Sequence, residues 1–407
     1  MTPPLVLVDP HRESFWPLAA ARPVADLLAG TMTFRARWAE VVGGVASLWC
    51  DESVTGCAFR SGDRPVLNRW PDPGQGLLVA LSSWVPPAEL DLGEDPAEWR
   101  LDDAPVAWRL DGGAAAELAG EGPGSPRELV ERLAGLGLPV RSVEGLFLDA
   151  IWSVMAANPG LIERDAVGFA GVDSVAAVDP LVLLGDDDDL KVGPDVTVGP
   201  FVVLDVREGP IVLDSGARVA SHARLRGPLY VGRESVVLGG EVGGGASIGP
   251  RCKVRGEIEQ TILQGFANKA HDGFVGHSVL GEWTNLGADT VTSDLKNTYG
   301  SVRVEAAEGR IDTGLLKVGA FLGDHVKTGI GTLLTTGARI GAGSHVFGGR
   351  AVSPPRLPEF SWFDGSDRVP VRWEPFERAA STAMDRRDQS LGEGEREMLR
   401  SLHGVGR

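Results

Sequence analysis

An aliphatic residue returns every six positions through much of the second half of the chain. Val192, Val198 and Leu204 form one series, and Leu213, Val219, Leu225, Val231 and Val237 a second. Val242, Ile248 and Val254 form a third, and Leu322, Thr328, Leu334, Ile340 and Val346 a fourth. Many are followed by glycine, as in VGPDVT, VGPFVV, IGPRCK and IGAGSH. A helical period of 3.6 cannot produce this pattern, and an ordinary sandwich does not hold one phase so long. An aliphatic residue followed by a small one, repeated every six, is the signature of a parallel β-helix. Hexads close triangular coils, with the aliphatic side chain inward and the small residue at the corner.

The first part of the chain has a different texture. PLVLVD (4–9) and GLLVALSSWV (76–85) read as buried strands, and SPRELVERLAGLGLPV (125–140) as a capped helix. Strands separated by helices predict an α/β domain with a largely parallel sheet. The stretch 86–124, rich in Pro, Gly, Asp and Glu, is expected to form surface loops. The acidic run GDDDDL (185–190) marks the change of texture. The expected division is therefore 1–185, 186–350 and 351–407. After Val346 the six-residue pattern stops. Residues 353–365 read as an extended, Pro-punctuated segment followed by two helices, the second with Ser390 and Glu393 in capping-box spacing. These helices are expected to cover the open end of the solenoid.

A net charge of -17 argues against a nucleic-acid or anionic-membrane partner. It leaves room for a small anionic substrate in a local basic pocket. No charged, then apolar, leader pattern begins the chain, and no run of 18 apolar residues occurs, so a cytoplasmic protein is expected. Cys50, Cys57 and Cys252 form no CxxC pair and read as reduced thiols. All six lysines lie at or beyond Lys191.

The hexad phase slips once. Val275 to Leu280 is five residues, Leu280 to Leu286 is six, and the series then dissolves into TSDLKNTYGSVRVEAAEGRIDTG. Such an excursion must leave the coil as a loop, and loops on rigid scaffolds are where sites are built. His271, His277, Lys269 and Lys296 all fall in or beside it. Acyl transfer from a thioester to an amine needs a base near neutral pH, which an imidazole supplies. Asp272 or Asp294 could orient the His271 ring, and Asn285 or a backbone N–H could polarise the thioester oxygen. His277, one hexad on, reads as structural. A zinc site from His271, His277 and His325 would need separate coils to align, and no metal site is predicted.

KAHDGFVGHSVLGEWTNLGADT resembles the acetyltransferase half of the bifunctional N-acetylglucosamine-1-phosphate uridyltransferase / glucosamine-1-phosphate N-acetyltransferase family. That family has Lys-Ala-Gly-His, a Tyr-Leu-Gly coil and Asn-Ile-Gly-Ala-Gly in succession. NKAHDGF, LGEWTNLGA, SDLKNTYG, GDHVKTGIGT and MDRR resemble a branch of related two-domain sugar nucleotidyltransferases. The resemblance covers essentially the whole chain and is most specific over 264–348. It implies a left-handed parallel β-helix, with His271 at the catalytic position. It also implies Phe274 at the family's Tyr, Asn285 at a sugar-contacting Asn, and Asp294 at a second Asn. Ala288 and Ala342 match positions whose backbone faces the acyl-CoA, with acetyl-CoA as co-substrate. A homotrimer is implied as well, with sites between adjacent solenoids. Glu259 replaces the family's basic sugar-phosphate contact and Asp289 replaces a glycine. Lys269, Lys296 or Arg303 are then the candidates to hold a phosphate, and Asp272 joins the substrate-binding set.

HRESFWPLAAARPVADLLAGTMTFRARW resembles the sugar nucleotidyltransferase opening, Arg-Leu-x-Pro-Leu-Thr followed by Arg-Pro-Lys-Pro. Here DPHRES lacks glycine, Val24 stands at the lysine position, and Ser82 and Ser83 stand where a metal-binding Asp belongs. The resemblance implies a Rossmann-like nucleotidyltransferase-like α/β domain with a degenerate site. Arg12 and Arg22 are the cations left for a nucleotide, and Mg²⁺ is required only if this domain is active. The expected function is acyl-CoA-dependent N-acylation of an amino-sugar phosphate or sugar nucleotide, as in UDP-N-acetylglucosamine biosynthesis. The alternatives are a non-catalytic sugar-nucleotide scaffold or sensor, and an active sugar-1-phosphate nucleotidyltransferase with an Arg-based site.

Overall fold

The computed structural model describes residues 3–60, 64–120, 122, 124–171, 176–347 and 352–405. The N-terminal sheet runs in the order Ser47–Trp49, Leu5–Val8, Leu77–Leu81, Ala104–Leu110, Ala97–Leu101, Val140–Ser142. Its first three strands are parallel, and antiparallel pairings join Ala104–Leu110 to both neighbours. The helix Pro126–Ala134 begins with a complete capping box between Ser125 and Glu128.

The expectation of surface loops over 86–124 is corrected. EWRLDDAPVAWRL folds as a hairpin within this sheet, turning near Asp102 in a left-handed conformation (φ 53°). Trp99 and Trp108 bury their rings in the domain core, and the Trp108 indole N–H donates to Glu98 at 3.1 Å. Apolar and polar residues alternate on these strands, a pattern hidden by the polar composition around them.

The hexad series forms the expected β-solenoid. One flank is a nine-stranded, all-parallel sheet with one strand per coil, from Leu190–Val192 to Arg356–Leu357. The predicted inward aliphatics share one continuous core. Pairing begins before the acidic run, because Val182–Leu184 already pairs with Val203–Asp205. It also continues past Val346, a second correction. Leu357 enters the core and Phe363 packs on it, six residues apart as the hexad demands. Pro354, Pro355 and Pro358 obscure that last coil in the sequence.

The outward residues of the same flank form a ladder across successive coils: Val212, Tyr230, Ser247, Ile262, Val279, Phe321, Arg339 and Arg356. Its apolar rungs join Phe15, Leu18, Val24, Leu27 and the helix Ile151–Val167 in a core that unites the two domains. Polar groups fix the docking. Asn158, fully buried, accepts from the Gly30 amide at 2.7 Å and donates to Gly245 O at 2.8 Å and to Ser247 Oγ at 2.9 Å.

The tail helices Trp373–Asp385 and Glu393–Val405 pack against the side of the coil stack, which corrects the expected end cap. They meet a column of corner residues, Phe266, Trp283 and Phe360, with His325 between them. Phe266, Trp283, His325 and Phe360 all have φ between 51° and 61°. The strain of a left-handed aromatic is offset by stacking, with Phe266 and Trp283 rings 4.4 Å apart. No helix among the described residues is long and apolar enough to cross a membrane.

Candidate functional site

The slip in the hexads separates two clusters at two corners of the solenoid. At the first corner His271 is exposed, and its ring makes no hydrogen bond to the described residues. The next coils are stacked on it through Asp289 N to Asp272 O and Gly331 N to Ala288 O. His271 and Ala288 therefore share a corner. Beneath them, Lys269 occupies an inward position of the solenoid, in register with the core residue Val254. The residue is 1% exposed. Its ammonium donates to the carbonyls of Arg255 (3.0 Å) and His271. Burial lowers the Lys269 pKa to about 8. Lys269 is thus a prop under the His271 corner, with two of its donors engaged by backbone carbonyls. On the adjoining face, Asn285 Oδ1 accepts from Asn268 at 2.9 Å.

At the second corner, Nδ1 of His277 lies 2.8 Å from Asp294 Oδ2. The carboxylate is an acceptor only, so the ring N–H donates to it. Burial alone would raise the Asp294 pKa, but the His277 hydrogen bond and the nearby Lys317 hold it below the usual range. Phe274 folds over the glycine between them. A Cβ on Gly276 would sit 2.3 Å from Phe274 Cζ and 2.9 Å from Asp294 Oδ2, so a larger residue would displace the Phe274 ring. Backbone bonds repeat the pairing, with Gly319 N donating to His277 O and Val318 N to Asp294 O. The chain leaves the coil at Asp294 and returns at Val318, so this pair clasps the root of the excursion.

Several expected roles change. Neither carboxylate orients His271, because Asp272 pairs with Arg255 at 3.0 Å and Asp294 with His277. Lys296 donates to Ser301 O at 2.6 Å and closes a turn within the excursion. Ala342 lies at a different corner from Ala288. It is fully buried, and its carbonyl accepts from Phe360 N, so its backbone is covered by this chain itself. His325 is 2% exposed among aromatic rings, and burial drives its pKa down to about 3.

Residues 5–170 match the family of sugar nucleotidyl transferases. A bifunctional sugar-1-phosphate nucleotidylyltransferase/acetyltransferase of Sulfurisphaera tokodaii is 34% identical over 97 residues, 24% of each chain. The bifunctional protein GlmU of Ralstonia pickettii is 26% identical over 237 residues, 52% of this chain and 51% of that protein. The GlmU of Methanocaldococcus jannaschii is 31% identical over 86 residues, 21% of each. Over these stretches the chain is similar to the GlmU-like bifunctional transferases. The matches span about a fifth to a half of the length of these relatives.

In this chain the N-terminal arginines are engaged with carboxylates of other elements. Arg22, only 4% exposed, bonds Asp324 at 2.7 Å and Glu282 at 3.2 Å on the solenoid. Glu282 also bonds Arg60, which in turn holds Glu395 of the last helix. The network fastens all three parts of the chain, and Arg22 opens onto no nucleotide site. Arg12 is half-exposed and pairs with Asp51 and Ser53. At the carboxyl ends of the parallel strands, Asp51 is thus engaged and Asp9 stands without a second free carboxylate. Among the described residues the one close group of three candidate metal ligands is Asp186, Asp187 and Asp188, on an exposed turn. The residues of the N-terminal domain do not fit a bound Mg²⁺.

Proposed function

We propose that the chain is an acyl-CoA-dependent N-acyltransferase acting on an amino-sugar phosphate or sugar nucleotide, with His271 as general base. The observation that carries this reading is the His271 corner, where an unencumbered imidazole stands on a loop anchored from below by Lys269. The acetyltransferase activity named for the Sulfurisphaera tokodaii relative supports the same chemistry. His271 would take the proton of the attacking amine, while Asn285 and the backbone at Ala288 border the space for donor and acceptor.

The two clusters lie on either side of one solenoid face. Its outward residues are apolar, with Val291, Leu333 and Val352 in register and Phe274 nearby. Leu333 and Val352 are exposed. This ladder supports a homotrimer in which a neighbouring copy covers the face and completes the site. The nucleotidyltransferase-like domain serves in docking and not in nucleotidyl transfer, since Arg22 and Arg12 are committed to carboxylates.

The test mixes full-length protein with acetyl-CoA and glucosamine-1-phosphate and follows free thiol. Wild type should release CoA, and His271→Ala should be slower by about 100-fold or more. Equal release by both would overturn the assignment.

A further inference from the structure

One strand of the solenoid does not turn where its neighbours turn. Lys253–Glu259 runs straight through the corner below His271, pairing with Asn268–Lys269 at its start and with Phe274–Gly276 at its end. Two residues, Arg255 and Gly256, therefore lie beneath four, Ala270, His271, Asp272 and Gly273. The inward residues record the same shortening, with Val254 and Ile258 four apart but Lys269 and Val275 six apart. The His271 corner thus overhangs the coil below, without the corner-on-corner stacking that regular repeats supply.

Lys269 fills that gap from inside. It stands level with Val254, and the neighbouring inward positions Leu263, Val275 and Leu286 belong to the aliphatic core. Its ammonium joins the two levels, donating to the Arg255 carbonyl below (3.0 Å) and to the His271 carbonyl in the overhang. Gly256 (φ 97°) leaves room for it, since a Cβ there would lie 3.1 Å from Lys269 Nζ and 2.8 Å from Gly273 O. An apolar side chain would suit this core better, because burying an ammonium costs free energy. The charged groups facing it are Asp272 in its own coil and Asp289 in the coil above. Arg255, from the coil below, pairs its guanidinium with Asp272 at 3.0 Å. Burial outweighs both carboxylates and lowers the Lys269 pKa to about 8. The hold on the overhang is a charge-assisted one, and such bonds weaken when the donor loses its proton.

We propose that Lys269 is a positioning residue for His271, its charged ammonium holding the overhanging corner in the geometry that proton transfer needs. This role rests on the reading of His271 as the base. A side chain that only filled space would lose nothing on deprotonation. Stability would even rise, because the unfolded chain keeps this proton up to about pH 10.5 while the folded chain releases it near 8. Stability and activity should therefore move in opposite directions above pH 8.

Thiol release from acetyl-CoA with glucosamine-1-phosphate, by full-length wild type and Lys269→Met from pH 6 to 9.5, tests it. The acceptor amine titrates alike with both proteins, so the ratio of their kcat values isolates Lys269. That ratio should be about tenfold below pH 7 and fall toward one above pH 9, with KM for acetyl-CoA little changed. Over the same range the urea midpoint of wild type should rise relative to Lys269→Met. Lys269→Gln, an uncharged donor, should restore part of the activity below pH 7 and show a level ratio to Lys269→Met, and it keeps the test decisive if Lys269→Met does not fold. A second readout needs no turnover. In protein carrying ¹³C-histidine, the His271 signal, assigned by its loss in His271→Ala, should shift near pH 8 in wild type and not in Lys269→Gln. A wild-type to variant ratio that stays level across the range would overturn the proposal, as would a His271 signal without that shift. The shift without any thiol release would instead sink the acyl-transfer reading and leave the coupling of Lys269 to His271 demonstrated.

Discussion

Nδ1 of His277 meets the Asp294 carboxylate at 2.8 Å, and the backbone carbonyls of the two residues accept from the neighbouring amides of Gly319 and Val318, where the chain returns to the coil. The pair holds together both ends of an excursion that carries the antiparallel hairpin of Arg303–Ala306 and Gly309–Asp312. His277→Asn tolerates the left-handed backbone at this position (φ 47°) while deleting the imidazole. It should cost about 1.5–3 kcal/mol, the range for a hydrogen bond to a charged partner. Because Asp294 titrates below its ordinary range, the bond stabilises above the unfolded carboxylate pKa and fades as pH falls through the folded one. Urea midpoints for wild type and Asp294→Asn should therefore differ at pH 7 and converge toward pH 3. Thiol release by His277→Asn should stay within about tenfold of wild type, against the larger loss in His271→Ala.

Arg22 sits between Asp324 and Glu282 with a side chain 5% exposed. Burial alone would lower its pKa, and the two carboxylates raise it instead. Arg22→Met leaves those carboxylates buried with half their compensation gone, a loss of about 3–5 kcal/mol. Asp324→Asn in the same chain should restore part of it, since the remaining charge then pairs with Arg60. Denaturant unfolding of the single and double variants measures both effects. A double variant no more stable than Arg22→Met would show that the ionic network is not the cause.

Asn158→Ala should loosen the joint between the domains specifically. It strands the Gly30 amide and the Gly245 carbonyl, at about 1–3 kcal/mol for each unsatisfied group. Wild type should unfold as one unit. The variant should show the N-terminal domain unfolding ahead of the solenoid, read by tryptophan fluorescence against far-UV circular dichroism. Coincident transitions in the variant would mean that the apolar ladder alone couples the domains.

The solenoid was legible because its register is written in one residue type at one spacing. Lys269 was legible by the same rule, standing six after Leu263 and six before Val275, and this spacing marks it as inward-facing. Its role was missed because lysine suggests a surface contact. The hairpin through Trp99 and Trp108 was lost in a polar composition, and the coil of Leu357 and Phe363 behind prolines. The pairing of Arg339 with Arg356 lies beyond sequence reading, since they meet only when a full coil separates them. The same holds for Arg22, whose partners come from elements hundreds of residues away.

Asp9, directly after the strand Leu5–Val8, offers a pH test of a buried carboxylate. Burial raises its pKa from 3.8 to about 6, outweighing the Ser82 hydroxyl, the Ala25 and Val24 amides and the Arg12 charge, which lower it. The folded state thus holds a proton that the unfolded chain releases earlier. Stability from this group is complete below pH 3.8 and is lost as pH rises through about 6. Asp9→Asn keeps an acceptor for the Val24 amide and removes the ionisation. It should gain up to about 3 kcal/mol over wild type at pH 8 and nothing at pH 3.5. Urea midpoints at the two pH values decide this, and a gain of equal size at both would assign the effect to packing rather than to charge.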